Sequence, residues 1–382
     1  MRIGIDASCI LPRKTGIGQF TMNLLREMLG LSNENGSEFI IFLNSYRHST
    51  PPLPMIEGAR VKVKKFRIPG PLLVRAWRHL HFPPIEMFTG FVDLFHSTTG
   101  YLPPQIRGQR IATVYDLYFM RHPEHCEALG GRHFLKTMPR LLPRMDHIIA
   151  PSNATKHDLM ELLKIPEEKI TVIYGGVDQQ RFHLVTDHSL LETMRQEYCL
   201  PRHYILSVST LEPRKNIEGL LIAYRQLKEI LYNPPKLVLA GGKGWHGEAI
   251  RAAIRRHRLG QDVLLTGYIP DEHLPLLYNA ALIFIYPSLW EGFGMPVLEA
   301  MACGAPCLVS NIPALKEIAE DAAMTIDPYN YYEMAERMKD LITSHQLREQ
   351  LQQKGLVQVQ KFSWRLTAQK TLRVYENVTK KK

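Results

Sequence analysis

Long hydrophobic runs are missing from this 382-residue chain, and no window approaches the ~18 consecutive apolar residues of a membrane-spanning helix. The opening stretch MRIGIDASCI is broken by Asp6, so it reads as a first strand rather than an export signal. Cysteine is scarce. Cys9, Cys126, Cys199, Cys303 and Cys307 are odd in number and contain no Cys-x-x-Cys pair, which argues against a disulfide framework and a zinc site and for a reducing, cytoplasmic compartment. There is no low-complexity tract, no repeat of solenoid period and no complete Gly-x-Gly-x-x-Gly fingerprint. Acidic residues are in deficit: the net charge is +10, with 22 basic against 16 acidic residues over 1–180 and 25 against 21 thereafter. Because the excess is shared between the halves, no nucleic-acid-binding half stands out; an acidic ligand such as a nucleotide diphosphate, or an anionic membrane surface, suits it.

A single core stops growing at roughly 250–300 residues, so the length implies two domains. Short apolar strand candidates fall at 2–6, 38–43, 60–66, 93–96, 110–114, 146–150 and 169–173, and again at 203–209, 236–240, 262–266, 282–286 and 306–310. Amphipathic helical stretches lie between them, including 18–30, 128–142, 152–163, 216–231, 246–258, 271–280 and 296–303. Strands apolar on both faces, such as 282–285, are those of a parallel sheet covered by helices on each side. The rhythm predicts an α/β protein with two doubly wound parallel sheets. The break falls after Gly175-Gly176, dividing 1–178 from 179–362, and 363–382 reads as one amphipathic helix.

Three loops have the composition for chemistry. Glu291-Gly292-Phe293-Gly294-Met295-Pro296-Val297-Leu298-Glu299 follows a buried strand and opens a helix. Its glycines let the backbone approach a ligand, its free N–H groups face an anion, and its two carboxylates suit vicinal diols. Thr210-Leu211-Glu212-Pro213-Arg214-Lys215-Asn216 puts two cations at a helix start, a fork and a point charge that fit a diphosphate. Lys14-Thr15-Gly16-Ile17-Gly18-Gln19-Phe20 follows the first strand as a truncated dinucleotide-type turn. Each also has a plainer reading as an ordinary strand-to-helix turn. Together, all at carboxyl ends of parallel strands, they point to one ligand site.

With these residues in view, the sequence resembles glycosyltransferase family 4, the retaining enzymes of GT-B fold, in which two Rossmann-like domains face a cleft. The resemblance runs over nearly the whole chain: the glycine loop, Asp93-Leu94-Phe95-His96, Thr113-Val114-Tyr115-Asp116, Pro151-Ser152, Tyr174-Gly175-Gly176-Val177-Asp178, Glu212 to Asn216, Gly267-Tyr268-Ile269, the Glu-x7-Glu pair at 291 and 299, and Phe362-Ser363-Trp364. It implies that Arg214 and Lys215 hold the donor diphosphate and Glu299 the ribose. Glu291 and the backbone at Phe293, Gly294 and Met295 hold the donor sugar, and Ile269 meets the base. Gly16 and Gly18 close over the diphosphate from the first domain, and the C-terminal helix packs back on that domain. No metal and no cofactor are implied, the nucleotide sugar being a substrate. Relatives often have His before the Asp where this chain has Tyr115; His96 and Asp116 are the candidates for the catalytic face.

The pattern around Gly16, Gly18 and Glu212 to Asn216 looks like the mannosyltransferase-rich subgroup. GDP-mannose is the leading donor, with Asp271 placed to receive guanine, and UDP-sugars are the alternative; a same-fold epimerase or a dinucleotide-dependent oxidoreductase ranks behind. The acceptor is read as a glycan or a lipid-linked glycan. Residues 60–82 carry Arg60, Lys62, Lys64, Lys65, Arg67, Arg75 and Arg78 and no acid, a composition that fits peripheral attachment to an anionic membrane as well as a basic face around a buried helix stripe.

Overall fold

The computed structural model describes residues 1–12, 15–47, 53, 58–125, 132–242 and 247–380. Lys14, Cys126, the first residues of the 128–142 and 246–258 helix candidates and the last two lysines lie outside the described residues. The chain divides into two compact units, Met1–Gly176 with Trp364–Lys382, and Val177–Ser363.

The first unit holds seven parallel strands: β1 (Arg2–Asp6), β2 (Glu38–Asn44), β3 (Arg60–Phe66), β4 (Leu94–Ser97), β5 (Gln109–Thr113), β6 (His147–Ala150) and β7 (Ile170–Val172). Their order across the sheet is β3-β2-β1-β4-β5-β6-β7. Strands β1, β2, β4 and β6 are buried on both faces, which the apolar run Phe39-Ile40-Ile41-Phe42-Leu43 of β2 shows most plainly. Strand β3 alternates instead and lies at the sheet edge, where its lysines discourage pairing with another chain. The basic segment 60–82 is therefore not one amphipathic element: Arg60 to Lys65 belong to this edge strand, and only Arg75 and Arg78 lie on the helix Gly70–His79, which buries Leu73 and Trp77. The helix Asn153–Leu163 begins at Ser152, whose hydroxyl accepts from the Thr155 N–H at 3.1 Å and satisfies one orphan donor.

The closing helix, Trp364–Lys380, belongs to the first unit. Its buried face includes Trp364, Ala368, Leu372 and Tyr375, and Trp364 meets Phe20 edge-on at 5.1 Å. The Thr367 hydroxyl donates to the Tyr174 carbonyl at 2.8 Å.

The second unit holds six parallel strands: β8 (Tyr204–Val208), β9 (Lys236–Ala240), β10 (Val263–Gly267), β11 (Ile283–Tyr286), β12 (Cys307–Ser310) and β13 (Ala323–Ile326), ordered β10-β9-β8-β11-β12-β13. Its core packs Ile205, Leu237, Ile283 and Leu308 of the sheet against Leu220 and Tyr224 of the helix Ile217–Ile230 and Met338 of the helix Tyr331–Thr343. Each such fully buried side chain contributes about 1.5–3 kcal/mol. The polar stretch after the domain break contains a helix, His188–Glu197, started by the Asp187 carboxylate accepting from the Ser189 N–H at 2.9 Å.

Candidate functional site

In the second sheet the strand order reverses between β8 and β11, and open α/β sheets bind ligands outside the carboxyl ends of the strands at such a point. The loops leaving these two strands carry Arg214 with Lys215 and Glu291 through Met295. Pro213–Lys215 form a single 3-10 turn, and Asn216, left-handed at φ 55°, redirects the chain into Ile217–Ile230 while its side chain donates to the Pro328 carbonyl at 2.7 Å. The Leu289 N–H donates to the Arg214 carbonyl at 2.7 Å and ties the two loops together.

So held, both cations converge on one carboxylate. Lys215 Nζ donates to Glu291 Oε1 and, at 2.6 Å, to the Tyr286 hydroxyl. Arg214 Nη1 donates to Glu291 Oε2 at 3.0 Å, and its Nε donates to Glu212 Oε1 at 2.7 Å. Lys215 and Glu291 are both buried. Burial pushes the Glu291 carboxyl up, but Lys215 and Arg214 outweigh it and hold the group at about 2. Burial likewise pushes the Lys215 ammonium down, and Glu291 opposes that fall. A rigid acid between two cations fixes where the positive charge points.

Gly294 precedes the helix Met295–Ala302 at φ 116°, a conformation that favours glycine, and a Cβ there would lie 2.6 Å from Leu315 Cδ2. Phe293 is buried against Phe362, so its backbone rather than its ring is what the loop can present. Glu299, half-buried on the same helix, accepts from the Tyr278 hydroxyl at 3.1 Å. Burial raises its pKa to about 7, against the pull of Arg181 and Tyr278. Arg181 in turn lies with Nη2 3.6 Å from Asp271 Oδ1. Ile269 is buried.

Residues 15–181 match the family described as Glycosyltransferase Family 4, and residues 193–357 match Glycosyl transferases group 1. The chain belongs to glycosyltransferase family 4. It is 29% identical to O-antigen chain mannosyltransferase B of Escherichia coli over 95% of this chain and 96% of that one. It is 34% identical to the serotype-specific mannosyltransferase WbdA of Escherichia coli over 74% of this chain, a match spanning 35% of that protein. Sucrose-phosphate synthase of Thermosynechococcus elongatus shares the fold over 100% of both chains, with a TM-score of 0.80 and 21% identity. The HepE protein of Anabaena in complex with UDP and glucose does so over 99% of this chain and 100% of that one, with a TM-score of 0.74 and 18% identity. The fold is GT-B, the enzyme is a glycosyltransferase, and the epimerase and oxidoreductase readings fall away.

In this family 4 glycosyltransferase, the candidates on the first unit meet different fates. His96 on β4 is fully buried; its Nδ1 lies 2.5 Å from the Tyr375 hydroxyl and its Nε2 2.8 Å from the Thr113 hydroxyl. Burial holds its pKa down at about 3. With both ring nitrogens occupied and no exposure, His96 joins β4 and β5 to the closing helix. Asp116 accepts from the Tyr118 N–H at 3.1 Å and supports the short helix Tyr118–Arg121. Tyr115, where the resemblance leads one to expect histidine, turns its hydroxyl toward Thr21 (3.5 Å) and its ring edge-on to Phe20. Gly18 is demanded by close approach, since a Cβ there would lie 2.7 Å from the Cys9 carbonyl oxygen; exposed Gly16 begins the helix Gly16–Asn35.

Sequence reasoning missed several groups. Tyr286, Tyr278 and Arg181 shape the charge around Glu291 and Glu299. Their sequence signal is slight, Tyr286 being a hydroxyl-bearing aromatic at the carboxyl end of an apolar strand. Asp6, read only as a break in an apolar run, is buried at the end of β1 and accepts from Ser8 N–H at 2.9 Å and Thr99 Oγ1 at 2.7 Å. It borders a cavity of about 890 Å³ in the first unit, with Asn44, Thr99 and Trp77 among its walls. Among the described residues, no group of three or more His, Cys, Asp or Glu side chains is arranged to hold a metal ion, and no helix is long and apolar enough to cross a membrane.

Proposed function

We propose that this protein transfers a mannosyl group from GDP-mannose to a hydroxyl of a lipid-linked glycan during cell-surface polysaccharide synthesis, with retention of the anomeric configuration. The observation that carries the reading is the convergence of Arg214 and Lys215 on buried Glu291 at the strand-order reversal of the second sheet. The mannosyltransferase names of the Escherichia coli relatives support the sugar.

In this reading the donor diphosphate lies against Arg214, Lys215 and the N–H groups that open Met295–Ala302, which stabilise the charge on the departing phosphate. Glu291 accepts a hydrogen bond from a sugar hydroxyl while keeping the two cations aimed. Glu299 accepts from the ribose diol, and Asp271 from the guanine. No carboxylate is assigned as nucleophile. The acceptor oxygen attacks C1 on the face that the diphosphate leaves. The C1–O(phosphate) bond breaks as the C1–O(acceptor) bond forms, and the acceptor proton passes to the departing phosphate oxygen. The cavity beside Asp6 receives the acceptor sugar. Attachment to an anionic membrane surface on its cytoplasmic side rests on Arg75 and Arg78 beside exposed Leu72, Leu80 and Phe82.

The purified protein, offered a panel of nucleotide sugars with an oligomannoside acceptor, should consume GDP-mannose, bind GDP more tightly than UDP and give an α-linked product by NMR. Tighter UDP binding overturns the donor, and a β-linked product from an α-linked donor overturns retention. Lys215→Ala turning over at the wild-type rate overturns the diphosphate assignment.

A further inference from the structure

We infer that a second cavity of the first unit, about 520 Å³, is a phosphate site that holds the anionic head of the lipid part of the acceptor. It lies between the helix Gly70–His79, the loop Gly100–Gln105 and the helix Arg132–Leu141 with the turn that continues it. Its walls carry Arg78, His81, Arg110, Lys136, Arg140 and Arg144 and, among the described residues, no Asp or Glu.

Such a wall is costly without an anion. Lys136 and Arg140 stand four residues apart on one helix, and Arg144 follows four further on in the 3-10 turn. Like charges at this spacing repel rather than support the helix. Among the described residues, none of Arg78, Lys136, Arg140 and Arg144 forms an ion pair. A concave surface of one sign with apolar walls concentrates the opposite charge, and Arg offers the fork that matches phosphate oxygens.

The remaining walls select what bears the phosphate. Trp77, Leu102, Leu141 and Met145 give the cavity an apolar side that a free inorganic anion has no use for. The position agrees. Arg110 sits near the amino end of β5, and Met145 just precedes β6, so this cavity runs down the flank of the sheet. The cavity beside Asp6 opens instead at the carboxyl ends of β1 and β2. Val74, Trp77, Arg78 and Tyr101 wall both, and the Trp77 indole N–H donates to the Pro83 carbonyl at 2.9 Å, which fixes that partition. One amphiphilic molecule can thus place its sugar in the first cavity and its phosphate in the second. This assignment rests on the lipid-linked acceptor proposed above.

Farnesyl diphosphate, farnesol and inorganic diphosphate, titrated calorimetrically into the full chain with GDP present in excess, test it. Farnesyl diphosphate should bind about tenfold or more tightly than either other probe, the worth of one charge-assisted contact. Lys136→Glu/Arg140→Glu, two exposed positions, should remove that advantage while GDP binding is unchanged and Tm does not fall; if the double variant does not fold, Arg140→Gln should weaken it in the same direction. Farnesol binding as well as farnesyl diphosphate removes the phosphate, inorganic diphosphate binding as well removes the lipid, and undiminished binding by the variants removes the site. Failure of the transfer reading shows up separately, as a wild-type protein that consumes no nucleotide sugar yet still binds farnesyl diphosphate.

Discussion

Replacing Glu291 by Gln keeps the shape of the side chain and removes the charge on which Lys215 and Arg214 converge. The carboxyl is held at about 2 in the folded protein against an ordinary value of 4.5. That difference corresponds to about 3 kcal/mol of stability. Because the folded value is the lower one, the contribution is complete above the unfolded value and is lost as pH falls through the folded one; near pH 3.5 it has shrunk to about 2 kcal/mol. Burial of Lys215 adds to the effect in the variant, since an enclosed ammonium stripped of its counter-ion sheds its proton. For a unit of this size, about 3 kcal/mol lowers Tm by roughly 6–12 °C. Scanning calorimetry of both proteins at pH 7 and pH 3.5 reads the gap directly. A variant as stable as the wild type at pH 7, or a gap that widens on acidification, would refute the reasoning.

Further outcomes follow from other positions. Glu299, raised to about 7, must lose its proton to accept from both hydroxyls of a diol at once, so donor affinity should be complete well above neutrality and fall by up to about tenfold from pH 8 to pH 6; Glu299→Gln should bind weakly and flatten the profile measured by calorimetry. His96→Ala should leave the Tyr375 and Thr113 hydroxyls without their imidazole partner at about 1–3 kcal/mol each, lowering Tm while kcat at a permissive temperature holds near wild type; a collapse of kcat in a variant of unchanged Tm would restore His96 to the reacting centre. Gly294→Ala forces alanine to φ 116°, at a cost of about 1–3 kcal/mol, and should weaken nucleotide binding measured by thermal shift; unchanged binding and Tm would show that the loop does not need this conformation.

The parallel sheets were legible because their strands are apolar on both faces and bounded by turn residues, as with Ile283–Tyr286. β13 was not, since Ala323–Ile326 is four residues at a sheet edge with no alternation to betray it. The helix His188–Glu197 was hidden by its polarity: it buries only Leu191 and Met194 and reads as a linker. At the site, the glycine loop and adjacent cations were readable because their chemistry is local in sequence. The meeting of Lys215 with Tyr286, or of Glu299 with Tyr278, depends on loops brought together by strand order, which spacing along the chain does not encode. The surroundings of His96 were hidden for the same reason, because its hydroxyl partner Tyr375 lies 279 residues away.

The assignment of the last helix to the first unit makes that unit discontinuous: its final segment is synthesised only after everything between Val177 and Ser363. On the ribosome the order of completion is therefore inverted, and the second unit has its whole sequence available before the first does. Until Trp364–Lys380 emerges, Phe20 lacks its indole neighbour and His96 its hydroxyl partner, so the nascent amino-terminal half waits with apolar surface uncovered. Removing Trp364–Lys380 would wound the protein at its beginning, because that helix is the piece that closes the first core.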